Sequence, residues 1–287
     1  MTLESFIPEI WANELLTSFE RALVYGSPAV VNRDYEGEIT AGGDTVRINS
    51  IGDPTIGDYT KNTNMAAVET LTDAQAVLTI NQQHYFNFQV DDIDKRQGNP
   101  RVMAEALRRA AFGLRSKVDN YIAGLYTEAT GAIGSTASPV TVTDPATSSN
   151  KLAYAYLVDL GVNLDGRDVP DDGRFCVVPS WFHGLLLQDA RFVGTGSAAA
   201  DDVARNGVVG QAAGFKIIKS NNVPATTGTK YRIIAGHPSA WSMAAQITSV
   251  EAYRPELRFG DAVKGLLVYG AKVVRPDALA VLVANNA

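Results

Sequence analysis

Four groups of residues in this sequence have types and spacings that could do chemistry. Ser180, His183 and Asp189 offer the nucleophile, base and carboxylate of a hydrolase triad. Ser180 and His183, however, would lie one turn apart on one short helix, and no G-x-S-x-G elbow raises a serine above a sheet. Gly194-Thr195-Gly196-Ser197-Ala198-Ala199 has the order of a dinucleotide-binding turn. It follows a predicted helix rather than a strand, so the phosphate-cradling geometry is missing and the segment reads as a loop. Asp91, Asp92 and Asp94 imitate the start of a calcium loop, but Gln97 occupies the glycine position and no bidentate glutamate follows at the right spacing. His84, His183 and His237 are widely separated and Cys176 is the single cysteine, which leaves zinc without ligands at local spacing. The sequence therefore predicts no enzyme, no cofactor and no metal site. A soluble hydrolase acting through Ser180 or His183 is the alternative from the enzyme class.

Elements that would position such groups are unevenly distributed. The 287 residues, 46% hydrophobic and 20% charged, can build one large or two modest cores. Against 31 acidic residues stand 25 basic ones, a net charge of −6, which argues against a binder held by phosphate neutralisation and leaves room for a local basic face. Cys176 lies in the apolar run Phe175-Cys176-Val177-Val178 and is expected as a buried small hydrophobe. The opening MTLESFIPEIW has neither the basic region nor the long apolar core of a signal peptide, and no apolar stretch approaches the roughly 18 residues needed to span a bilayer. A soluble chain from a reducing compartment, with no membrane partner, is expected.

Residues 1 to 98 look unable to bury themselves. Pro8 suits a first helical position, and Ala12, Leu15, Leu16, Phe19 and Leu23 recur at helical spacing until Gly26-Ser27-Pro28. This helix either packs on its own body or is an arm laying Phe6, Trp11, Leu15 and Phe19 on a neighbouring subunit. Residues 35 to 90 read as a long hairpin excursion. Thr45 to Ile51 alternates as a half-exposed strand should, and Ala76 to Ile80 and Tyr85 to Val90 are return strands. A polar, turn-rich connection separates them, of a length uncommon inside a compact domain. Asp58, Tyr59 and Lys61, its only lysine, fall near the tip.

From Asn99 the pattern changes. Asn99 is a good N-cap and Pro100 a good first residue for a helix that runs to Thr127, about 42 Å at 1.5 Å per residue. Met103, Leu107, Ala110, Leu114, Val118, Tyr121 and Leu125 form its apolar stripe. Its other face carries Arg101, Glu105, Arg108, Arg109, Arg115, Lys117 and Asp119, either solvated or in contact with enclosed nucleic acid or an assembly partner. Next come a helix over Asn150 to Leu164, a buried strand over Arg174 to Val178, and a short helix capped by Ser180 and running to Asp189. Strands follow at Gly214 to Ser220 and Tyr231 to Ala235, with at least two more after Phe259, broken at Arg275-Pro276-Asp277.

Four strings in this order carry a resemblance. FIPEIWANELLTSFERALVYGSPAVVNRDYEGEI opens the chain, VPDDGRFCVVPSWFHGLLLQDARF and GVVGQAAGFKIIKSNNVP follow, and RPELRFGDAVKGLLVYGAKVVRPDALAVLV closes it. With the loop and helix between them, the chain resembles the major capsid proteins of tailed bacteriophages, nearly throughout its length.

The resemblance implies an α+β, Hong-Kong-97-like capsid fold. Residues 1–34 would be the N-arm, 35–90 the extended E-loop, and 91–148 a peripheral domain holding the spine helix 100–127. Residues 149–250 would form the axial domain, and 251–287 the return strands of the peripheral domain. It implies copies joining through pentamers and hexamers into an icosahedral head, assembled in the host cytoplasm, that holds double-stranded DNA without reading its sequence. Partners would be the chain itself, a portal, with or without a decoration protein, and either a separate scaffolding protein or none, since the sequence starts directly at the arm. Some relatives crosslink a loop lysine to a neighbour's asparagine; Lys61 and Asn285 or Asn286 are the positions available here, but no matching motif supports the pairing and a solvated Lys61 is expected. An encapsulin-like compartment that encloses enzymes is the alternative sharing the fold.

Overall fold

The computed structural model describes residues 23–34, 45–51, 55–64, 67–68, 70, 73–91, 102–142, 152–189, 210–226, 229–257 and 259–286. Two sheets and one long helix organise them. The larger sheet has eight strands in the order β4 (Gly131–Ile133), β13 (Leu279–Asn286), β10 (Lys230–Gly236), β6 (Phe175–Val178), β8 (Phe215–Lys219) and β7 (Gln211–Ala212). β5 (Val140–Val142) pairs with β13 and β9 (Ala225–Thr226) with β10. Every residue of β6 is buried, as a strand covered on both faces requires. Cys176 is among them, and burial pushes its thiol far above the ordinary range. Helices α2 (Ala153–Asp165) and α3 (Ser180–Gln188) belong to this part of the chain, α2 packing on β13.

The smaller sheet has three strands, β11 (Trp241–Tyr253), β12 (Gly260–Val273) and β3 (Gln82–Asp91), all antiparallel. Against it lies α1 (Val102–Gly124), continued by a 3-10 turn over Leu125–Glu128. Leu107, Ala111, Leu114, Val118 and Ile122 are its buried stripe. One core joins both sheets: the rings of Trp241, which opens β11, and Phe175, which opens β6, stack with centroids 5.9 Å apart.

β1 (Thr45–Ile51) and β2 (Asp73–Thr79) form the outreaching hairpin, paired from Thr45↔Thr79 to Ile51↔Asp73. Ile48 and Leu78 pack with Ile80, Ala244 and Val268 into a small separate core that roots the hairpin on the three-stranded sheet.

β3 pairs with β12 over ten residues, from Gly260↔Asp91 to Tyr269↔Gln82. β12 stays in the three-stranded sheet, whereas the turn at Pro276–Ala278 sends β13 between β10 and the parallel β4. One expectation needs correction. Ser180 is the first helical residue rather than the cap; the Pro179 carbonyl already accepts the His183 N–H at 3.1 Å.

Candidate assembly surface

The hairpin connection holds the most exposed part of the described chain. Residues 55–64 are all exposed, Ile56 by 95% and Tyr59 by 70%, and Val68 is exposed by 99%. Lys61 and Asn62 occupy a turn closed by the Thr63 N–H on the Thr60 carbonyl at 3.1 Å. Asn62 has φ 68°, a left-handed conformation that asparagine tolerates. The turn therefore presents Asp58, Tyr59 and Lys61 together to the outside. Local hydrogen bonds give it shape while its apolar side chains have nothing to pack on. A second exposed apolar pair, Leu257 and Phe259, follows β11 at the turn into β12.

On α1 the solvent face is less uniformly charged than its sequence. Arg108, Arg109 and Lys117 are exposed, and Arg109 pairs with Glu105 one turn earlier at 3.2 Å. Arg115 is half-buried with its guanidinium 4.5 Å above the Phe112 ring, itself 59% exposed. Asp119, placed by sequence on this face, is fully buried. Its carboxylate accepts the backbone N–H groups of Val24, Tyr25 and Gly26, and this network gives a carboxylate reason to be inside. Phe6, Trp11, Leu15, Phe19 and Arg101 lie outside the described residues.

The triad reading gains nothing from the geometry. Ser180 is exposed at the start of α3, while Asp189 is buried just past its end, about 13 Å along the helix. His183 lies half-buried, and burial first and Lys219 second hold its imidazole below the ordinary range. His237 accepts the Ser239 N–H on Nδ1 at 3.2 Å, and His84 packs near Tyr269 with ring centroids 5.7 Å apart. Among the described residues no three His, Cys, Asp or Glu side chains stand close enough to hold a metal. The glycine-rich 194–199 segment and residues Asp92 and Asp94 fall outside the described residues.

Sequence reasoning also missed two arginines. Arg174 is buried and grips its own turn through Asp165 at 2.6 Å and Asp171 at 2.8 Å. Arg232 is buried over the Tyr126 ring at 4.8 Å and donates to Thr136 Oγ1 at 3.2 Å. Neither spacing announces itself before the chain folds.

Two sheets sharing a core, a long helix beneath the smaller one, and a hairpin rooted there and reaching outward define the Hong-Kong-97-like capsid fold. A Mycobacterium phage Che8 structure matches with TM-score 0.72 and 29% identity, covering 91% of this chain and 90% of that one. The capsid of cyanophage P-SCSP1u matches with TM-score 0.70 and 17% identity, covering 93% and 89%. A virus-like particle from Pyrococcus furiosus shares the fold at TM-score 0.57 and 13% identity, covering 96% and 98%. A comparison with curated proteins found no match. The model of the phage capsid protein family matches residues 75–282, and the chain belongs to that family. It is a capsid shell protein, a structural component of the virion.

Proposed function

We propose that many copies of this chain join through pentamers and hexamers into an icosahedral phage head that encloses double-stranded DNA. Membership of the phage capsid family supports the reading, and one observation carries it. The chain by itself leaves Ile56, Tyr59, Val68, Leu257 and Phe259 exposed at two projecting turns, surface that a monomer has no reason to keep and a neighbour can cover. Asp58, Tyr59 and Lys61 would then touch an adjacent copy, as would Phe6, Trp11, Leu15 and Phe19 of the arm. Arg101, Arg108, Arg109, Arg115 and Lys117 would form the outer face of the spine helix. In this reading β3, β11, β12 and α1 would belong to the peripheral domain, and the eight-stranded sheet, β13 included, to the axial one.

In this reading the role is mechanical. The chain performs no catalysis, assembles in the host cytoplasm, and meets a scaffolding protein, a portal and a decoration protein. Electron microscopy of the protein expressed alone and with a scaffolding protein tests it. Closed shells containing rings of five and six are expected, and heads from infected cells should hold nuclease-resistant DNA. Persistent monomers under both conditions, or shells filled with enzyme in place of nucleic acid, would overturn it.

A further inference from the structure

The buried Asp119 joins three distant parts of the chain. Its carboxylate accepts the N–H groups of Val24 at 3.2 Å, Tyr25 at 3.0 Å and Gly26 at 3.3 Å, and the Asn222 side-chain amide reaches it at 3.5 Å. Three successive amides aimed at one point make a concavity suited to an anion. Both carboxylate oxygens take part, which lets one side chain hold more of the turn's amides than a single acceptor oxygen could.

The turn so held is a plug. Leu23, Tyr25, Val30 and Val31 are buried, and Ser27 closes the turn on the Val24 carbonyl through its N–H and its hydroxyl. The indole N–H of Trp241 donates to the Val30 carbonyl, and Asn32 exchanges backbone bonds with Trp241 at 3.1 Å and Met243 at 2.9 Å. Asp119 itself belongs to α1, under the three-stranded sheet, whereas Asn222 lies just beyond β8 of the eight-stranded sheet. Arg115, one turn back, rests over Phe112 and acts on Asp119 through its charge rather than through a hydrogen bond.

We infer that Asp119 is a positioning residue for assembly, clamping residues 24–26, the root at which the preceding segment joins the body, to the seam between the two sheets. The inference rests on the shell reading and reaches past it, because it names what holds the root of the arm.

Asp119→Asn keeps the side chain's shape and removes its charge and one acceptor. In hydrogen–deuterium exchange of the full chain, the amides of Val24 to Gly26 should label at least about tenfold faster. Val177, Ile234 and Leu282 should stay protected over the same labelling time, and the shell yield by sedimentation should fall several-fold. Adding Asn222→Asp returns a carboxylate to the cluster from the loop side and should recover part of both losses. Root and sheet losing protection together would reduce Asp119 to a general stabiliser. A loosened root with undiminished shell yield would also overturn the inference, as would a double variant no better than the single one. Wild-type protein that forms no shells under the same conditions would sink the shell reading itself, a result visible before any variant is made.

Discussion

The carboxylate of Asp119 lies 3.0 Å from the backbone nitrogen of Tyr25, although 94 positions separate the two residues. Burial pushes that carboxyl above the ordinary aspartate range, and the N–H groups of Val24 and Gly26, then Arg115 and Asn222, pull it back only in part. The folded chain thus keeps this proton to a higher pH than the unfolded chain. Asp119's contribution to stability therefore declines as pH rises from about 3.9 through the folded-state value, and is level above it. The stability gap between wild type and Asp119→Asn, measured in urea from about pH 4 to about pH 7, should narrow as pH rises. A gap that widens would contradict this account.

Arg174 and Lys264 both form ion pairs, and burial separates their effects. The Arg174 side chain is 5% exposed and also donates to the Pro170 carbonyl at 2.8 Å and to the Val169 carbonyl. Arg174→Ala should cost about 2–4 kcal/mol in chemical denaturation, since it leaves the buried Val169 carbonyl unpaired and removes a buried ion-paired side chain. Lys264 meets Glu251 at 2.8 Å with both side chains about half exposed. Lys264→Ala should change stability far less than Arg174→Ala, and the difference should shrink in salt.

Two glycines should respond to alanine with opposite signs. A Cβ at Gly270 on β12 would meet the backbone of Thr79 and Ile80, where the hairpin crosses the sheet. Gly270→Ala should destabilise by about 1–3 kcal/mol and displace the hairpin root. Gly113 sits inside α1 with open space where its Cβ would go. Gly113→Ala should stabilise by about 0.5–1 kcal/mol. Paired thermal melts check both.

Substituting Ile56, Tyr59 and Val68 together by serine tests the projecting turn. All three are exposed, so the isolated chain should lose no more than about 0.5 kcal/mol for each. Shell yield in sedimentation should nevertheless drop steeply. An unchanged yield would remove these side chains from the assembly contacts.

Local patterns were legible wherever the chain's own periodicity decides the structure. The alternation of Thr45–Ile51, the apolar stripe of α1, the buried run around Cys176 and the strand at Phe215–Lys219 all read directly from sequence. β11 did not, because Trp241–Tyr253 mixes small, polar and aromatic residues without alternation and is held as a strand by twelve register pairs with β12. Which sheet a strand joins was equally hidden: β12 and β13 are both apolar, and only the intervening turn parts them. Asp119 was misread because helical spacing places it beside Arg115, while the amides that draw it inward come from residues 24–26. The resemblance to capsid proteins, carried by four strings spread along the chain, identified the family.

Cys176 has a practical consequence. It is the chain's single cysteine and is fully buried on β6, and desolvation suppresses the thiolate that reacts with alkylating reagents. A cysteine introduced at Lys61 would therefore be the one thiol that a maleimide could reach. Each copy would carry a single defined attachment point for a dye, a peptide or a sugar, with no native cysteine to remove first.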